Sequence, residues 1–425
     1  MNLTPENLLT KMFFAAVSEA DPFKKIPQYL PQNLKADNIY VIGAGKASAA
    51  MAKAVENYYK DIPLSGVVIT RYGHKTDCKN INIIEASHPV PDDNGQEAAR
   101  QILKIVKNAN PNDLIIGLFS GGGSALLALP SDGISFDEKR NITKELLKSG
   151  ADIASMNCVR KHLSAIKGGH LAAFCKAPML NLFISDVTGN DLSVIASGPT
   201  VPDTTTCDDA LKIIDKFDIK INNTIRQQLK DGKLETPKAD NICFKTVKNQ
   251  IIASPFASLA SAAKIAEEQN LTVINLGDYI EGESKDVAKV IAGIALSIKF
   301  NYNPIKPPCV IISGGETSVT LTGSGRGGRN SEFLISLGNQ IIKYPEMVNS
   351  FYAIACDTDG IDGSENNAGA LWTPETSKKA LDNYSFFSSS IINNDSYSFF
   401  KNTNDLIITN PTLTNVNDFR AVYIC

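Results

Sequence analysis

Short apolar runs alternate with amphipathic stretches through the first half of the chain. The run Leu114-Ile115-Ile116-Gly117-Leu118-Phe119 has the length and branching of a strand buried on both faces of a parallel sheet. The segment NIYVIGAGKASAAMAKAVENYYK reads as strand, glycine turn and helix. SGVVITRYG and NINIIEASHPVPDDNGQEAARQILKIVKNA continue the alternation, and MLNLFISDVTGNDLSVIASGP closes it. Repeated βα units predict a doubly wound, mostly parallel sheet with helices on both faces. In such a sheet a ligand lies beyond the carboxyl ends of the strands.

A more polar stretch, Thr204 to Asp240, is the candidate connection and divides the chain into 1–240 and 241–425. Beyond it, NQIIASPFASLASAAKIAEEQ with LTVINLG reads as one βαβ unit. PPCVIISGGETSV reads as strand, glycine turn and strand, and FYAIACDTDGIDG as a strand entering an acidic loop. At the start, Thr4 and Pro5 suit an N-cap and a first helical position. Leu8, Leu9, Met12, Phe13, Ala16 and Val17 then share one face. That helix is free to pack on the second domain.

Length and composition narrow the picture. A chain of 425 residues exceeds one comfortable core, so two domains are expected. A net charge of −3 leaves no electrostatic footprint for nucleic acid. No apolar run reaches membrane-spanning length, and the N-terminus lacks the basic segment of a signal peptide, which predicts a soluble protein. The eight cysteines are scattered without a C-x-x-C, as free thiols of a reducing cytosol are. The four histidines show no metal-ligand spacing, which argues against zinc.

The candidate chemistry sits on predicted strand-end loops. Ser120, Gly121, Gly122, Gly123 and Ser124 place bare backbone between two hydroxyls at a strand end, with a helix expected from Ser124 onward. That arrangement suits an anion, most often a phosphate. The turn with Gly43, Gly45 and Lys46 fits neither of two familiar patterns. Ala47 follows Lys46 where a P-loop needs Ser or Thr, and Ser48 takes the third glycine's place in a dinucleotide fingerprint. The next strand ends on Arg71 rather than an acidic ribose reader. A lysine at a helix mouth remains, a point charge suited to a phosphoryl oxygen.

His88, in SHPVPD, is read as stabilising its loop. Asn157 suits an N-cap, and Arg160 and Lys167, seven apart, share a helix face. Asp186, Asp191, Glu316 and Asp357 are strand-end carboxylates of the kind that hold Mg²⁺ together with substrate phosphates. Asp359 and Asp362 each precede a glycine, and Asp-Gly pairs are common turn formers. Arg326 and Arg329 lie in a glycine-rich loop before a helix, where guanidinium groups clamp carboxylate or phosphate.

Taken in order, GAGKAS, SHPVPD, SGGGSALL, KHLSAIKGGHLA, SDVTGNDLSVIASGPTVPD, SGGETSV, GRGGRNSEF, CDTDGIDG and TNVNDFR span nearly the whole chain. This set resembles the glycerate 2-kinase family, with an N-terminal Rossmann-like domain and a C-terminal α/β domain of MOFRL type. The resemblance implies an active site in the cleft between the domains and phosphorylation of D-glycerate at its 2-hydroxyl by ATP with Mg²⁺. It also implies that Lys46 and Arg326 or Arg329 are the catalytic and phosphate-stabilising cations; Asp186 is a candidate base on its own chemistry. Gly43, Gly45, Ser120 to Ser124, Asn157, Arg160 and Lys167 become the nucleotide-binding candidates. One departure is Asn410, where the family pattern leads one to expect glycine; Asn tolerates the left-handed backbone such a turn needs. Some members carry the name hydroxypyruvate reductase, so an NAD(P)H-dependent reductase and a non-catalytic phosphate-binding protein stand as alternatives. A homodimer is left open.

Overall fold

The structure, a computed structural model, describes residues 3–425. Six strands form the first sheet: β1 (Ile39–Ala44), β2 (Leu64–Arg71), β3 (Ile81–Ala86), β4 (Leu114–Ser120), β5 (Met179–Ile184) and β6 (Val247–Ala253). Their order is β3-β2-β1-β4-β5-β6, the order of a doubly wound dinucleotide-type sheet. β1 runs parallel to β2 and β4, with Ala44 level with Ile69 on one side and Phe119 on the other. Val41, Ile42, Ile116, Phe119 and Phe183 are wholly buried, as expected of strands covered on both faces. The helix Asp93–Asn108 buries Ala98, Ala99, Ile102 and Val106, a stripe at helical spacing. Its first turn is fixed by Asp92, whose carboxylate accepts the Gly95 N–H at 3.0 Å.

The stretch read as a polar connection is folded. It contains the helices Cys207–Lys216 and Asn223–Lys230, whose inner faces bury Cys207, Ala210, Ile214, Ile225 and Leu229. These pack with Ile142, Leu146 and Val159 in a separate small core. Their polar look comes from the solvent-facing sides.

The chain divides by packing into a unit of residues 22–252 and a unit that joins the N-terminal segment through Asp21 to Ala253–Cys425. The second unit contains β7 (Thr272–Asn275), β8 (Glu281–Glu283), β9 (Cys309–Ser313), β10 (Glu316–Ser318), β11 (Phe351–Asp357), β12 (Gly369–Trp372), β13 (Leu406–Ile407) and β14 (Asp418–Ile424). Its main sheet has the order β13-β12-β11-β14-β9-β7, while β8 and β10 pair separately. β14 lies centrally, antiparallel to both β11 and β9. The βαβ reading of β6, the helix Pro255–Glu267 and β7 does not hold, because β6 edges the first sheet and β7 the second. Periodicity identified the elements correctly, but it carries no information about which sheet a strand joins.

The N-terminal helix Pro5–Glu19 is capped by Thr4, whose hydroxyl accepts the Asn7 N–H at 3.3 Å. Leu8, Leu9, Met12, Phe13 and Ala16 pack with Leu259, Ala262, Val310 and Phe419. Among the described residues no helix is long and apolar enough to cross a membrane.

The buried position of this helix gives a direct test. Phe13 is fully buried, whereas the adjacent Phe14 ring is 48% exposed. Phe13→Ala should lower the free energy of unfolding of this unit by about 3–5 kcal/mol in denaturant titrations. Phe14→Ala should change it by about 0.5 kcal/mol or less. Equal effects would mean that the helix does not dock through this face.

Candidate active site

The chain leaves β1 toward β2 and leaves β4 toward β5, so the loops after these adjacent strands diverge and open a crevice at the sheet's switch point. Gly43 and Gly45 are dictated by how closely β4 approaches. An added Cβ would stand 2.2 Å from the Leu118 carbonyl oxygen at Gly43 and 2.1 Å from Ser120 Oγ at Gly45. The two loops are then fastened through backbone. The Lys46 N–H donates to the Gly121 carbonyl at 2.9 Å, and the Ala47 N–H donates to Ser120 Oγ at 3.0 Å. Ser48 donates its hydroxyl to the Leu118 carbonyl at 2.9 Å, anchoring the helix Ser48–Tyr58 where a dinucleotide site would need glycine.

Gly122 adopts a left-handed conformation with φ of +79°. A Cβ there would lie 3.1 Å from His88 Cδ2 and 3.5 Å from Lys46 Cγ. The bare loop, the lysine and the histidine therefore meet at one point. His88 is a residue whose functional position the sequence did not reveal, because a histidine in a proline-flanked loop carries no signal of what it faces. The helix after the triple glycine spans only Gly123–Leu126, so its dipole is short.

A second set of loops supports this one. Ser124 Oγ lies 2.8 Å from Ser197 Oγ, and Asn157 Oδ1 lies 3.5 Å from the same Ser197 hydroxyl. Ala196, Ser197 and Gly198 are successively left-handed, with φ of +52°, +59° and +60°. The two non-glycine residues of this run, Ala196 and Ser197, carry stored strain of the kind found at functional sites. It is held by Gly168 and Gly169, whose N–H groups donate to the Ser197 and Gly198 carbonyls at 3.0 and 2.8 Å.

Asn157 is mid-helix rather than an N-cap. The helix Ile153–His162 is capped by Asp152, which accepts the Ser155 N–H at 2.8 Å. The shared helix face expected of Arg160 and Lys167 does not form, because the helix ends at His162, leaving Arg160 within it and Lys167 in the turn beyond. Lys167 is buried and donates to the carbonyls of Ser124 and Leu127 at 2.8 and 2.6 Å, bracing the end of the glycine loop. Lys139 donates in the same way to Leu129 and Leu163, both at 3.0 Å. Among the described residues neither lysine pairs with a carboxylate. Burial first, then the neighbouring cations, pulls the Lys167 ammonium well below the usual lysine range. Burial also lowers the half-buried Arg160 guanidinium.

Asp186 is half-buried just beyond β5, and Asp191 is exposed on the same loop, where it accepts the Ser193 N–H at 2.8 Å. In the other unit the two arginines differ sharply. Arg326 is exposed, pairs with Glu365 through both its Nε and Nη2, and has its guanidinium 4.7 Å from the Tyr397 ring centroid. Arg329 sits among three carboxylates: Asp418 at 2.7 Å, Glu316 at 2.6 Å and Asp357 at 2.9 Å. Burial pulls its pKa down, but Asp418, Asp357 and Glu316 outweigh that and hold it well above the usual arginine range.

Asp418 also pairs with Arg420, which is buried and donates to the Gly314 carbonyl at 2.8 Å. The sequence motif contained Asp418 and Arg420 without indicating their partners. A buried Asp and Arg inside an otherwise apolar strand was the available signal. Asp362, a turn position in sequence, accepts the Asn330 and Ser331 N–H groups at 2.9 and 2.8 Å and so caps the helix Arg329–Ile341.

Comparison with known proteins agrees with this architecture. Residues 8–230 match a family described as a domain of unknown function (DUF4147), and residues 309–418 match the MOFRL family. A protein of Agrobacterium vitis that bears the provisional name hydroxypyruvate reductase is 45% identical over 100% of this chain and 95% of its own length. A glycerate 2-kinase of Pyrococcus horikoshii is 39% identical over 89% of this chain and 86% of its own. The crystal structure of a glycerate kinase from Thermotoga maritima superposes with a TM-score of 0.88 at 35% identity, covering 98% of this chain and 99% of that one. Both segments of the fold, the full-length likeness and the ordered motifs agree, and the chain belongs to the glycerate 2-kinase family.

Proposed function

We propose that this chain transfers the terminal phosphoryl group of ATP to the 2-hydroxyl of D-glycerate, giving 2-phosphoglycerate and ADP. The observation that carries this reading is the meeting of Lys46, His88 and the Gly121–Gly123 backbone at the β1–β4 switch point of a family member. Phosphoryl transfer asks for positioning and charge stabilisation more than for covalent chemistry. Lys46 meets the charge that develops on the transferred group, and the bare glycine backbone admits phosphate oxygens close to its N–H groups. The proton of the 2-hydroxyl passes to a base at the strand ends, with Asp186 and His88 the two groups of suitable chemistry.

The two arginines divide the remaining work. Arg326 is exposed, and its partner Glu365 is one a substrate carboxylate or phosphate can replace, so it takes the anion-clamping role. Arg329 is already bound by three carboxylates and organises them. Asp186 and Asp191 are hard oxygen donors on a solvent-accessible loop, the donor chemistry Mg²⁺ takes while keeping its waters. Glu316 and Asp357 close on Arg329. When bound, the ion neutralises nucleotide phosphates.

Two features disfavour the reductase reading. Ser48 stands in the third glycine place of the dinucleotide pattern, and β2 ends on Arg71 without the acidic ribose reader. All eight cysteines are free, which supports a cytoplasmic setting.

The first test is ADP formation with ATP, Mg²⁺ and D-glycerate. Glycerate-dependent ADP is expected, with Lys46→Ala lowering kcat by about 100–1,000-fold. NAD(P)H oxidation with hydroxypyruvate in place of ADP release would establish the reductase instead.

The arginine roles separate in a second experiment. Arg326→Ala should reduce kcat/KM by about 100-fold while the denaturation midpoint stays unchanged. Arg329→Ala should destabilise its unit by about 3–5 kcal/mol, since it leaves buried carboxylates facing one another. The reverse pattern would exchange the two roles.

A further inference from the structure

We propose that His162, Cys207 and Glu235 form a Zn²⁺ site in the unit of residues 22–252, separate from the Mg²⁺ of phosphoryl transfer. The three come from distant segments: the last residue of the helix Ile153–His162, the first of Cys207–Lys216, and the loop beyond Asn223–Lys230. Their ligand atoms all lie within 4.8 Å of one another. Sequence spacing argued against zinc because no two ligands are near in the chain, whereas the fold brings an imidazole, a thiol and a carboxylate to one place.

The orientation of His162 is the main evidence. Its side chain is fully buried, and Nδ1 lies 2.8 Å from the Cys158 carbonyl oxygen. A carbonyl only accepts, so Nδ1 carries a proton, and in the neutral imidazole Nε2 presents a lone pair. Histidines that bind metals are held this way, with the far nitrogen donating to a backbone carbonyl or carboxylate.

Among the described residues Nε2 has no hydrogen-bond partner although it is buried, a condition that native structures rarely leave unexplained. It stands 3.4 Å from Glu235 Oε1, without the alignment of a hydrogen bond. Oε1 already accepts from the Lys238 ammonium at 2.5 Å, so a metal ion would take the lone pair on its His162 side. Two ligands each about 2.0–2.2 Å from a tetrahedral zinc stand roughly 3.3–3.6 Å apart, which matches the observed separation.

The donor set fixes the class of ion. Imidazole, thiolate and carboxylate together select zinc or a similar borderline divalent metal, whereas Mg²⁺ and Ca²⁺ take oxygen alone. Glu235 is already ionised, since the Cys207 N–H at 3.0 Å and Lys238 at 2.5 Å hold its carboxylate. It is also 36% exposed, so solvent can supply the fourth ligand. On binding, the Cys207 S–H bond breaks, an S–Zn bond forms, and the proton leaves to water. No oxidant or reductant is required. The ion would tie two helices and a loop of the small core that contains Cys158, Val159, Ala210 and Leu234.

The test uses the full chain, stripped with a chelator and then titrated with Zn²⁺ against a chromogenic competitor. One equivalent should bind, raise the thermal midpoint, and be weakened by about 100-fold or more in Cys207→Ser and in Glu235→Gln. Circular dichroism establishes that each variant is folded, and the second keeps the test valid if the first is not. Loading with Co²⁺ should give a thiolate-to-cobalt charge-transfer band that is absent from Cys207→Ser. Equal affinity in wild type and folded variants, or no thiolate band, would mean adventitious binding only and would overturn the site.

Discussion

Between the ends of β1 and β4 there is no room for a side chain. Gly43 and Gly45 bring the first strand's backbone against Leu118 and Ser120, closer than any Cβ would permit. Because of that approach, the N–H groups of Lys46 and Ala47 reach partners on the neighbouring strand's loop, and Ser48 ties its helix to the same strand. The direction in which Lys46 leaves the loop, and the bareness of the surface it leaves from, both follow from a packing requirement. Glycines that look like a phosphate-binding signature in sequence are thus explained first by contact between strands. Their use in binding rests on that contact.

Charge is handled in opposite ways in the two units. Around the glycine loop, Lys139 and Lys167 are buried on carbonyl oxygens, with no opposing carboxylate among the described residues. Burial and then neighbouring cations disfavour their charged forms, and an anion bound nearby would restore them. In the other unit, Arg329 gathers Asp418, Glu316 and Asp357, and Arg420 takes the remaining oxygen of Asp418. There the guanidinium fixes the geometry of the carboxylates, and the local charge is largely compensated. Arg326, three residues earlier in the same loop, faces outward and keeps an exchangeable partner.

Much of the first sheet was legible because strands buried on both faces must be apolar throughout, and helices between them show a stripe at helical spacing. The glycine loops, Lys46 and the arginine loop stood out because few physical demands other than close approach or anion binding combine those residue types. The reading of 204–240 as a connection came from exposed faces of folded helices, since average polarity does not register a narrow buried stripe. The misreading of β6 and β7 as one unit had a different origin, because alternation along the chain is the same whether two strands share a sheet or not.

By itself, then, the sequence determined the strands of the first sheet, their parallel character and the family to which its ordered motifs point. Those properties follow from local periodicity and from short residue patterns. Only the tertiary structure decided that His88 faces the glycine loop, that Asn157 meets Ser197, and that Arg329 rather than Arg326 is enclosed by carboxylates. It alone brought His162, Cys207 and Glu235 together. Each of these is a meeting of side chains from segments far apart in sequence. Their distances are set by how strands and helices pack, so no local pattern of residues could encode them.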